Sequence, residues 1–317
     1  MPTALALSDV AKRFRAGVVG CFASVDALRG VSLAVPQGEH VGLFGPAGSG
    51  KTTLLLCAAG IMRPDAGRIA WFGEASATRE GGWAPPGVSY VPERVSCYAF
   101  LTVREALHHY DTLQERSGAD RRARVDAAID RLALGPLADT RLARLGRGAL
   151  ARLAFAQALV DEPRLLLLDG TLDALDPASR PVVRALAAEL RSAGVTMVLA
   201  TRDVATLDGL VERASLLAEG ELRATFRCAR GAPRRALHLT VSRPRRAAAL
   251  LRTRVSGVEH DAERVRVSLD GASPEEVLAH CAALDIAVHT SRVVADDLHE
   301  RLSELVARHG RVAEGRE

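Results

Sequence analysis

A glycine-rich stretch ending in lysine and threonine carries the clearest chemical meaning in this sequence. It reads GPAGSGKTT and fits the spacing G-x-x-x-x-G-K-[ST]. Glycines at these positions let backbone N–H groups turn inward around phosphate oxygens, and a following helix adds the positive end of its dipole. In this pattern the lysine reaches the terminal phosphates and the threonine hydroxyl binds Mg²⁺. We therefore predict a nucleotide-phosphate site formed by Gly45, Pro46, Ala47, Gly48, Ser49, Gly50, Lys51, Thr52 and Thr53.

The rarity of lysine supports this interpretation. Among the 42 basic residues only Lys12 and Lys51 are lysines, and all the others are arginines. Because the chain uses arginine almost everywhere else, a lysine at this position indicates a specific need for its side chain.

A second feature is an aspartate that follows a run of leucines. The stretch RLLLLD, 164–169, is apolar at nearly every position, which predicts a strand buried on both faces of a parallel sheet. Chemistry in such sheets lies at the carboxyl ends of the strands, and Asp169 lies at one of them. A second buried strand of this kind brings a carboxylate to the Mg²⁺ beside Thr52. The next residue, Gly170, offers no functional group.

Composition excludes several classes of protein. Apolar residues make up 48% and charged residues 25% of the 317 positions, as in ordinary soluble globular proteins. The net charge of +4 is spread among interspersed acids and bases, so we expect no nucleic-acid partner. The five cysteines are scattered, which fits neither a disulfide framework nor a zinc site. Without a signal peptide or a membrane-spanning stretch, we expect a cytoplasmic protein whose membrane role requires a partner.

Strands and helices alternate over residues 1–228, which predicts an α/β domain with a mainly parallel sheet. The predicted strands cover 30–35, 39–45, 67–73, 88–91, 164–169 and 194–201. The predicted helices start near residue 50, cover about 102–134 and 148–160, and start again at Asp176-Pro177.

A linker over 229–235 and a second domain over 236–317 are predicted next. The second domain shows the order strand, helix, strand, strand, helix, strand, helix, of which the first six elements match a ferredoxin-like unit. Ser273 and Glu276 form the sequence pattern of a capping box, and the last helix is predicted over 296–310. The arginine-rich segment 223–246 is interpreted as solvated linker and helix surface, with contact to lipid headgroups as the alternative.

These motifs, in this order, resemble the ATP-binding subunit of an ABC transporter from about residue 5 to 228. The second domain resembles an extension found on ATPase subunits of drug- and polysaccharide-exporting systems. The resemblance implies a P-loop NTPase fold of ABC type, with a helical signature subdomain at about 95–160, that binds ATP and Mg²⁺. It also implies a homo- or heterodimer with another ABC ATPase subunit, a membrane permease partner, and a peripheral position on the inner face of the membrane.

The resemblance assigns two further binding positions. Family members stack adenine on an aromatic side chain near the N-terminus, which implies Phe14. Phe22 is the alternative, because 17–25 resembles an insertion. The segment SYVPE resembles the loop that senses the γ-phosphate and touches the membrane partner. It has Glu93 where family members often have glutamine.

Three departures from the family pattern concern hydrolysis. The family signature L-S-G-G-Q aligns with 145–149, where Gly146 replaces the serine. Gly170 replaces the glutamate that polarises the attacking water, and Arg202 replaces the histidine on the γ-phosphate. Losing a general base lowers a rate about 10²- to 10⁴-fold and losing a transition-state donor about 10²- to 10³-fold. These losses do not simply multiply, so we predict ATP binding with hydrolysis at least ~100-fold below that of an intact relative.

Three functions follow from this pattern. The first is an ATP-binding subunit of an export transporter with weak or absent hydrolysis. The second is a nucleotide-binding regulatory or scaffold protein without a transport role. The third is a competent ATPase with Glu93 or Asp173 as a substitute base.

The role of Arg202 and the type of dimer are two further expectations. Arg202 is a hypothetical clamp on the γ-phosphate, with a solvent-facing side chain as the alternative. Because all departures lie on one chain, a heterodimer with an intact partner is favoured over a homodimer.

Overall fold

The computed structural model describes residues 2–18, 21–75, 87–93, 98–113, 120–207, 209–228, 234–261, 264–269 and 273–296. The chain forms two units, Met1–Cys228 and Ala229–Glu317. Among the described residues, no helix is long and apolar enough to cross a membrane.

The first unit contains two sheets. Its strands are β1 (Thr3–Val18), β2 (Cys21–Pro36), β3 (His40–Phe44), β4 (Ala66–Trp71), β5 (Glu74–Ala75), β6 (Val88–Val91), β7 (Leu165–Asp169), β8 (Thr196–Thr201), β9 (Arg213–Ala218) and β10 (Glu221–Arg227). Its helices are α1 (Lys51–Ala58), α2 (Val103–Leu113), α3 (Arg121–Arg131), α4 (Arg147–Val160) and α5 (Ser179–Ser192).

The central sheet has six strands in the order β10-β9-β3-β8-β7-β6. Neighbouring strands from β9 to β6 are parallel, and β10 adds an antiparallel edge. Every residue of β3, β7 and β8 is buried, which is typical of strands covered on both faces. The prediction of a buried parallel strand at 164–169 is therefore confirmed, except that β7 begins at Leu165.

A separate four-stranded antiparallel sheet has the order β2-β1-β4-β5. The predicted strands 30–35 and 67–73 belong to this sheet and not to the parallel one. Val31, Leu33 and Val35 are buried, whereas Ser32 and Ala34 between them are exposed. This alternation is the pattern of a sheet with only one face in the core. The prediction also missed β1, which pairs with β2 along most of its length.

The helices follow the predicted pattern with two differences. The helical region predicted over 102–134 contains α2 and α3, with 114–119 outside the described residues. Helix α5 begins at Ser179, although its start was predicted at Asp176-Pro177. Asp176 still caps this end, because its Oδ1 accepts a hydrogen bond from the Ser179 N–H at 2.8 Å.

The second unit has the strand order expected of a ferredoxin-like fold. Its elements are β11 (Arg234–Val241), α6 (Pro244–Leu251), β12 (Val258–His260), β13 (Arg264–Ser268), α7 (Pro274–Ala283) and β14 (Val288–Asp296). The antiparallel sheet runs β12-β13-β11-β14. Both hydrogen bonds of the predicted capping box between Ser273 and Glu276 are present. Strand β11 begins at Arg234, two residues before the predicted start of the second domain at 236. From residue 297 onward, the predicted last helix lies outside the described residues.

Candidate nucleotide-binding site

Four loops meet at one edge of the central sheet. Because β3, β8, β7 and β6 are parallel neighbours, their carboxyl ends lie side by side. Strand β3 leads into the phosphate loop at 45–50, β8 into Arg202, β7 into Asp169 and Gly170, and β6 into Glu93. The strand order thus brings together the residues that the sequence analysis took from four distant segments.

The phosphate loop is wrapped around its lysine. The Lys51 Nζ donates hydrogen bonds to the carbonyls of Gly45 and Pro46, both at 2.8 Å, and to Ser49 Oγ at 3.1 Å. Burial lowers the pKa of Lys51, and the nearby charge of Asp169 opposes that shift. Gly50 has a φ of 101°, and a Cβ there would lie 2.3 Å from a backbone oxygen, so no other residue fits. The predicted strand, loop and helix are all present.

Asp169 is held by two hydroxyl groups. Thr52 Oγ1 donates to its Oδ1 at 3.2 Å, and the Tyr90 hydroxyl donates to its Oδ2 at 3.0 Å. Burial raises the pKa of Asp169, and these two hydrogen bonds act in the opposite direction. Burial also raises the pKa of Tyr90, so its phenol is protonated at neutral pH and can donate. Tyr90 was not predicted as a site residue, although it lies within the segment SYVPE.

The oxygens of Thr52 and Asp169 suit Mg²⁺. This ion prefers hard oxygen ligands, and it is usually held by one or two side chains together with the phosphates of the substrate. Among the described residues, no group of three or more His, Cys, Asp or Glu side chains could hold a metal ion. A hydroxyl and a carboxylate at the end of the phosphate loop fit a nucleotide-dependent Mg²⁺ site of this small kind.

Gly170 adopts a backbone conformation that favours glycine. Its φ is 62°, in the left-handed region. A Cβ at this position would lie 3.1 Å from Glu93 Cγ and 3.3 Å from Glu93 Cβ. The Glu93 side chain therefore occupies the space into which a side chain at residue 170 would extend.

Arg202 bridges the two carboxylates that were named as substitute bases. Its terminal Nη2 lies 3.2 Å from Glu93 Oε1, and its Nε lies 3.4 Å from Asp173 Oδ2. Its backbone N–H also donates to Asp173 Oδ2 at 3.2 Å. Although 57% of the Arg202 side chain is exposed, both acids hold it in place. The alternative of a side chain that simply points into solvent does not describe this arrangement.

The aromatic candidate Phe14 lies in β1, on the antiparallel sheet. Its ring is partly exposed, and Lys12 Nζ lies 5.9 Å from the ring centroid. Lys12 also donates to Asp65 Oδ1 at 2.9 Å, so the second lysine of the chain has a structural contact. The side chain of Phe22 lies outside the described part of the structure.

The signature segment begins a helix, as its family pattern implies. Gly146 is the N-cap of α4, and a Cβ placed on it would meet no atom within 4 Å. Gly148 packs closely against Asp176, since a Cβ there would lie 2.5 Å from the Asp176 carboxyl group. A serine at 146 is therefore sterically allowed, and the missing hydroxyl is a chemical rather than a packing difference.

Comparison with known proteins agrees with this geometry. The family model described as ABC transporter matches residues 28–172. The thiamine import ATP-binding protein ThiQ of Cereibacter sphaeroides is 35% identical over 191 residues, covering 59% of this chain and 80% of that protein. The chain belongs to the family of ABC transporter ATP-binding proteins. An uncharacterized ABC transporter ATP-binding protein of Synechocystis sp. is 34% identical over 200 residues, covering 62% of this chain.

This ABC protein spans little more than half the length of some curated relatives. It covers 56% of the Synechocystis protein and 59% of the Fe(3+) ions import ATP-binding protein FbpC 1 of Rhodococcus jostii, which is 37% identical over 215 residues. The Rhodococcus protein and ThiQ are both named as import proteins. The prediction of export, which rested on resemblance to exporter subunits, therefore stays a prediction.

Solved structures confirm the ABC-type P-loop fold. A dimeric post-hydrolysis state of an ATP-binding cassette bound to ADP and Pi superposes with a TM-score of 0.64 at 25% identity. The match covers 72% of this chain and all of that cassette. The cbiO1 protein of Clostridium perfringens, part of the transporter complex cbiONQ, gives a TM-score of 0.61 and supports the fold alone.

Proposed function

We propose that this chain is the ATP-binding subunit of an ABC transporter, and that it binds Mg-ATP but hydrolyses it slowly. One observation supports the proposal most strongly: at a single edge of the sheet, the residues expected to bind the nucleotide are present and the family's two hydrolytic residues are replaced. Lys51, Thr52 and Asp169 form a connected phosphate and metal site, whereas Gly170 and Arg202 stand where the family has its glutamate and histidine.

Binding is supported by the contacts of the phosphate loop. Within the described part of the chain, the three hydrogen bonds of Lys51 Nζ go to acceptors in the phosphate loop. The phosphate oxygens of ATP would replace these acceptors with a stronger, charge-assisted interaction. Helix α1 begins at Lys51, and the positive end of its dipole favours a negatively charged phosphate there. Thr52 and Asp169 would then hold the Mg²⁺, which neutralises charge on the phosphates when it is bound.

Slow hydrolysis is supported by the chemistry of the replaced residues. Gly170 has no group that could accept a proton from water. An arginine side chain offers only hydrogen-bond donors, so Arg202 cannot accept a proton from water. Its charge can still interact with a γ-phosphate, and this favours a state in which ATP is held rather than consumed.

The partners in this proposal are a second ABC subunit and a membrane permease. The relative whose structure contains ADP and Pi is dimeric. A cavity of about 500 Å³ beside the Glu93 loop is lined in part by Tyr98, Leu101 and Leu113, and Tyr98 and Leu113 are largely exposed. An exposed apolar groove of this kind suits a helix from a permease. A heterodimer with an intact subunit is favoured. Each of its two ATP sites would contain residues from both subunits, so no site would combine the departures at Gly146, Gly170 and Arg202.

The test combines binding and turnover. Calorimetry with Mg-ATP is expected to show binding by the wild type and a loss of at least ~10-fold in affinity for Lys51→Ala, which removes the phosphate-facing charge. Steady-state turnover is expected to be at least ~100-fold below that of an ABC subunit with the intact glutamate and histidine. The double variant Gly170→Glu and Arg202→His should raise it, although left-handed backbone at 170 strains a glutamate by about 1 kcal/mol. Equal turnover in wild type and intact relative would contradict the proposal.

A nucleotide-binding scaffold protein without a transport role is the second candidate. Purification of the tagged chain in mild detergent from its own cells separates the two. A multi-span permease that is retained with the wild type and lost with Tyr98→Ser and Leu113→Ser supports the transporter subunit. Retention of soluble partners alone supports the scaffold.

A further inference from the structure

We propose that Glu93 is the carboxylate that accepts the proton of the attacking water in whatever hydrolysis this site performs, with Arg202 as its positioning residue. The inference rests on the proposed function, because it concerns the same ATP site. The role of the family's glutamate would then be performed by a residue at the end of the neighbouring strand β6 and would not be lost.

The position of Glu93 is the first argument. Strand β6 lies next to β7, so residue 93 follows one strand and residue 170 the adjacent one. The Glu93 Cγ, Cβ and Cδ all lie within 3.3 Å of the point where a Cβ of residue 170 would be. The stem of Glu93 thus crosses the place from which the missing glutamate would extend. A glycine at 170 leaves room for this approach, because a Cβ there would make a tight contact with the Glu93 stem.

The hydrogen bonding of Glu93 is the second argument. Arg202 holds only its Oε1, at 3.2 Å, and Glu93 Oε2 has no hydrogen bond to any described residue. The side chain is 53% exposed, so water can reach this free oxygen. One oxygen is therefore anchored and the other is available to water.

Asp173 lacks this availability. Its Oδ1 accepts a hydrogen bond from the Thr201 hydroxyl, and its Oδ2 accepts from the backbone N–H and Nε of Arg202. Only 12% of the side chain is exposed. Both oxygens are occupied by donors, so Asp173 has no free oxygen to take a proton from water. Of the two substitute bases, the structure assigns the role to Glu93.

The step balances with water and ATP alone. The water oxygen forms a bond to the γ-phosphorus while its proton moves to Glu93 Oε2. The bond between the γ-phosphorus and the β–γ bridging oxygen breaks, and ADP leaves with that electron pair. Glu93 then returns the proton to phosphate or solvent. The reaction stays slow because a half-exposed side chain on a loop positions water less tightly than a group fixed at the end of β7.

Single-turnover conversion of radiolabelled ATP, with the protein in excess, tests the inference. Lys51→Ala defines the background, and Glu74→Gln serves as the matched control, since Glu74 is exposed and lies on β5 of the other sheet. Glu93→Gln keeps the size of the side chain and is expected to lower the rate at least ~10-fold, as loss of a general base does. The affinity for ATP should change less than ~3-fold, and Glu74→Gln should behave as wild type.

Two further variants separate catalysis from folding. Gly170→Ala adds a methyl group 3.1 Å from Glu93 Cγ and should also lower the rate, because it displaces that side chain. Arg202→Ala should lower the rate, and Arg202→Lys should restore part of it because a charge returns beside Oε1.

The inference is overturned if Glu93→Gln turns over ATP as fast as wild type, or if wild type does not exceed the Lys51→Ala background. The latter result would leave the proposed function intact. Fast turnover in wild type that is lost in Glu93→Gln would overturn slow hydrolysis but support the role of Glu93. Absence of ATP binding would overturn both.

Discussion

Asp169 is the carboxylate of the proposed metal site, and burial and two hydrogen bonds shift its pKa in opposite directions. A buried carboxylate resists ionisation, which is why burial raises the pKa of Asp169. The hydroxyls of Thr52 and Tyr90 favour the ionised form because both donate to it. Mg²⁺ would bind that ionised form, so in the proposed site each donor would support metal binding indirectly.

Replacing Tyr90 with phenylalanine tests this link. Without the hydroxyl the pKa of Asp169 rises further, so the carboxylate protonates at a higher pH than in the wild type as the pH falls. We expect the Mg²⁺ concentration needed for ATP binding to rise about 5-fold at neutral pH, corresponding to one hydrogen bond of about 1 kcal/mol. The difference should widen towards acidic pH. A Mg²⁺ titration of ATP binding at two pH values measures this.

Tyr110→Phe is the control for that experiment. The Tyr110 hydroxyl also donates to an aspartate, Asp161, but away from the phosphate loop. This variant should keep the wild-type dependence on Mg²⁺. Identical Mg²⁺ curves for Tyr90→Phe and wild type would show that the Tyr90 hydroxyl does not support the metal site.

The sequence alone predicted the phosphate loop and Asp169 because their chemistry is encoded by short spacings. It did not predict the contacts of Tyr90 or the bridge from Arg202 to Glu93. Those contacts join residues that are 79 and 109 positions apart in the chain. They depend on which strands are neighbours and on which rotamers meet, and neither is contained in a local pattern.

A buried aspartate on α2 forms ion pairs with two arginines on α3. Asp111, at the end of α2, is fully buried and accepts hydrogen bonds from Arg121 Nε and Arg124 Nε, both at 2.9 Å. Both arginines lie on α3, so these bonds join the two helices that carry the predicted signature subdomain together with α4.

Asp111→Ala is expected to destabilise the first unit by about 3 kcal/mol, because it leaves two arginines without their buried partner. Asp139→Ala is a suitable control, since its pair with Arg104 is long and largely exposed and should contribute less than about 1 kcal/mol. Chemical denaturation followed by circular dichroism measures both. Equal small losses in the two variants would show that the Asp111 contacts do not stabilise the helices.

Strands and helices with a clear hydrophobic pattern were predicted at the right positions. The sheet to which some of the strands belong was not predicted correctly. The strand at 30–35 was recognised from its apolar residues, yet its alternating burial places it in the antiparallel sheet. The predicted start of α5 preceded the actual start because Asp-Pro is also a turn, in which the Asp176 carboxylate caps Ser179 from outside the helix. Tertiary contacts determine where a helix ends and which strands are neighbours. Local sequence patterns therefore do not predict these two features.

The whole molecule combines an ABC-type nucleotide-binding unit with a ferredoxin-like unit. The family's ATP sites are completed by a partner subunit, so the departures at Gly146, Gly170 and Arg202 would affect different composite sites in a heterodimer. In its own half of the site, we propose, this chain retains the groups that hold ATP and lacks the group that rapidly activates water.

Single-turnover conversion of bound ATP to ADP by the wild-type chain distinguishes holding ATP from consuming it. We predict Mg-ATP binding that depends on Lys51 and a conversion rate below about 0.1 s⁻¹, which is ~100-fold under a typical enzyme turnover of about 10 s⁻¹. Conversion at about 10 s⁻¹, or ATP binding that is unaffected by Lys51→Ala, would contradict it.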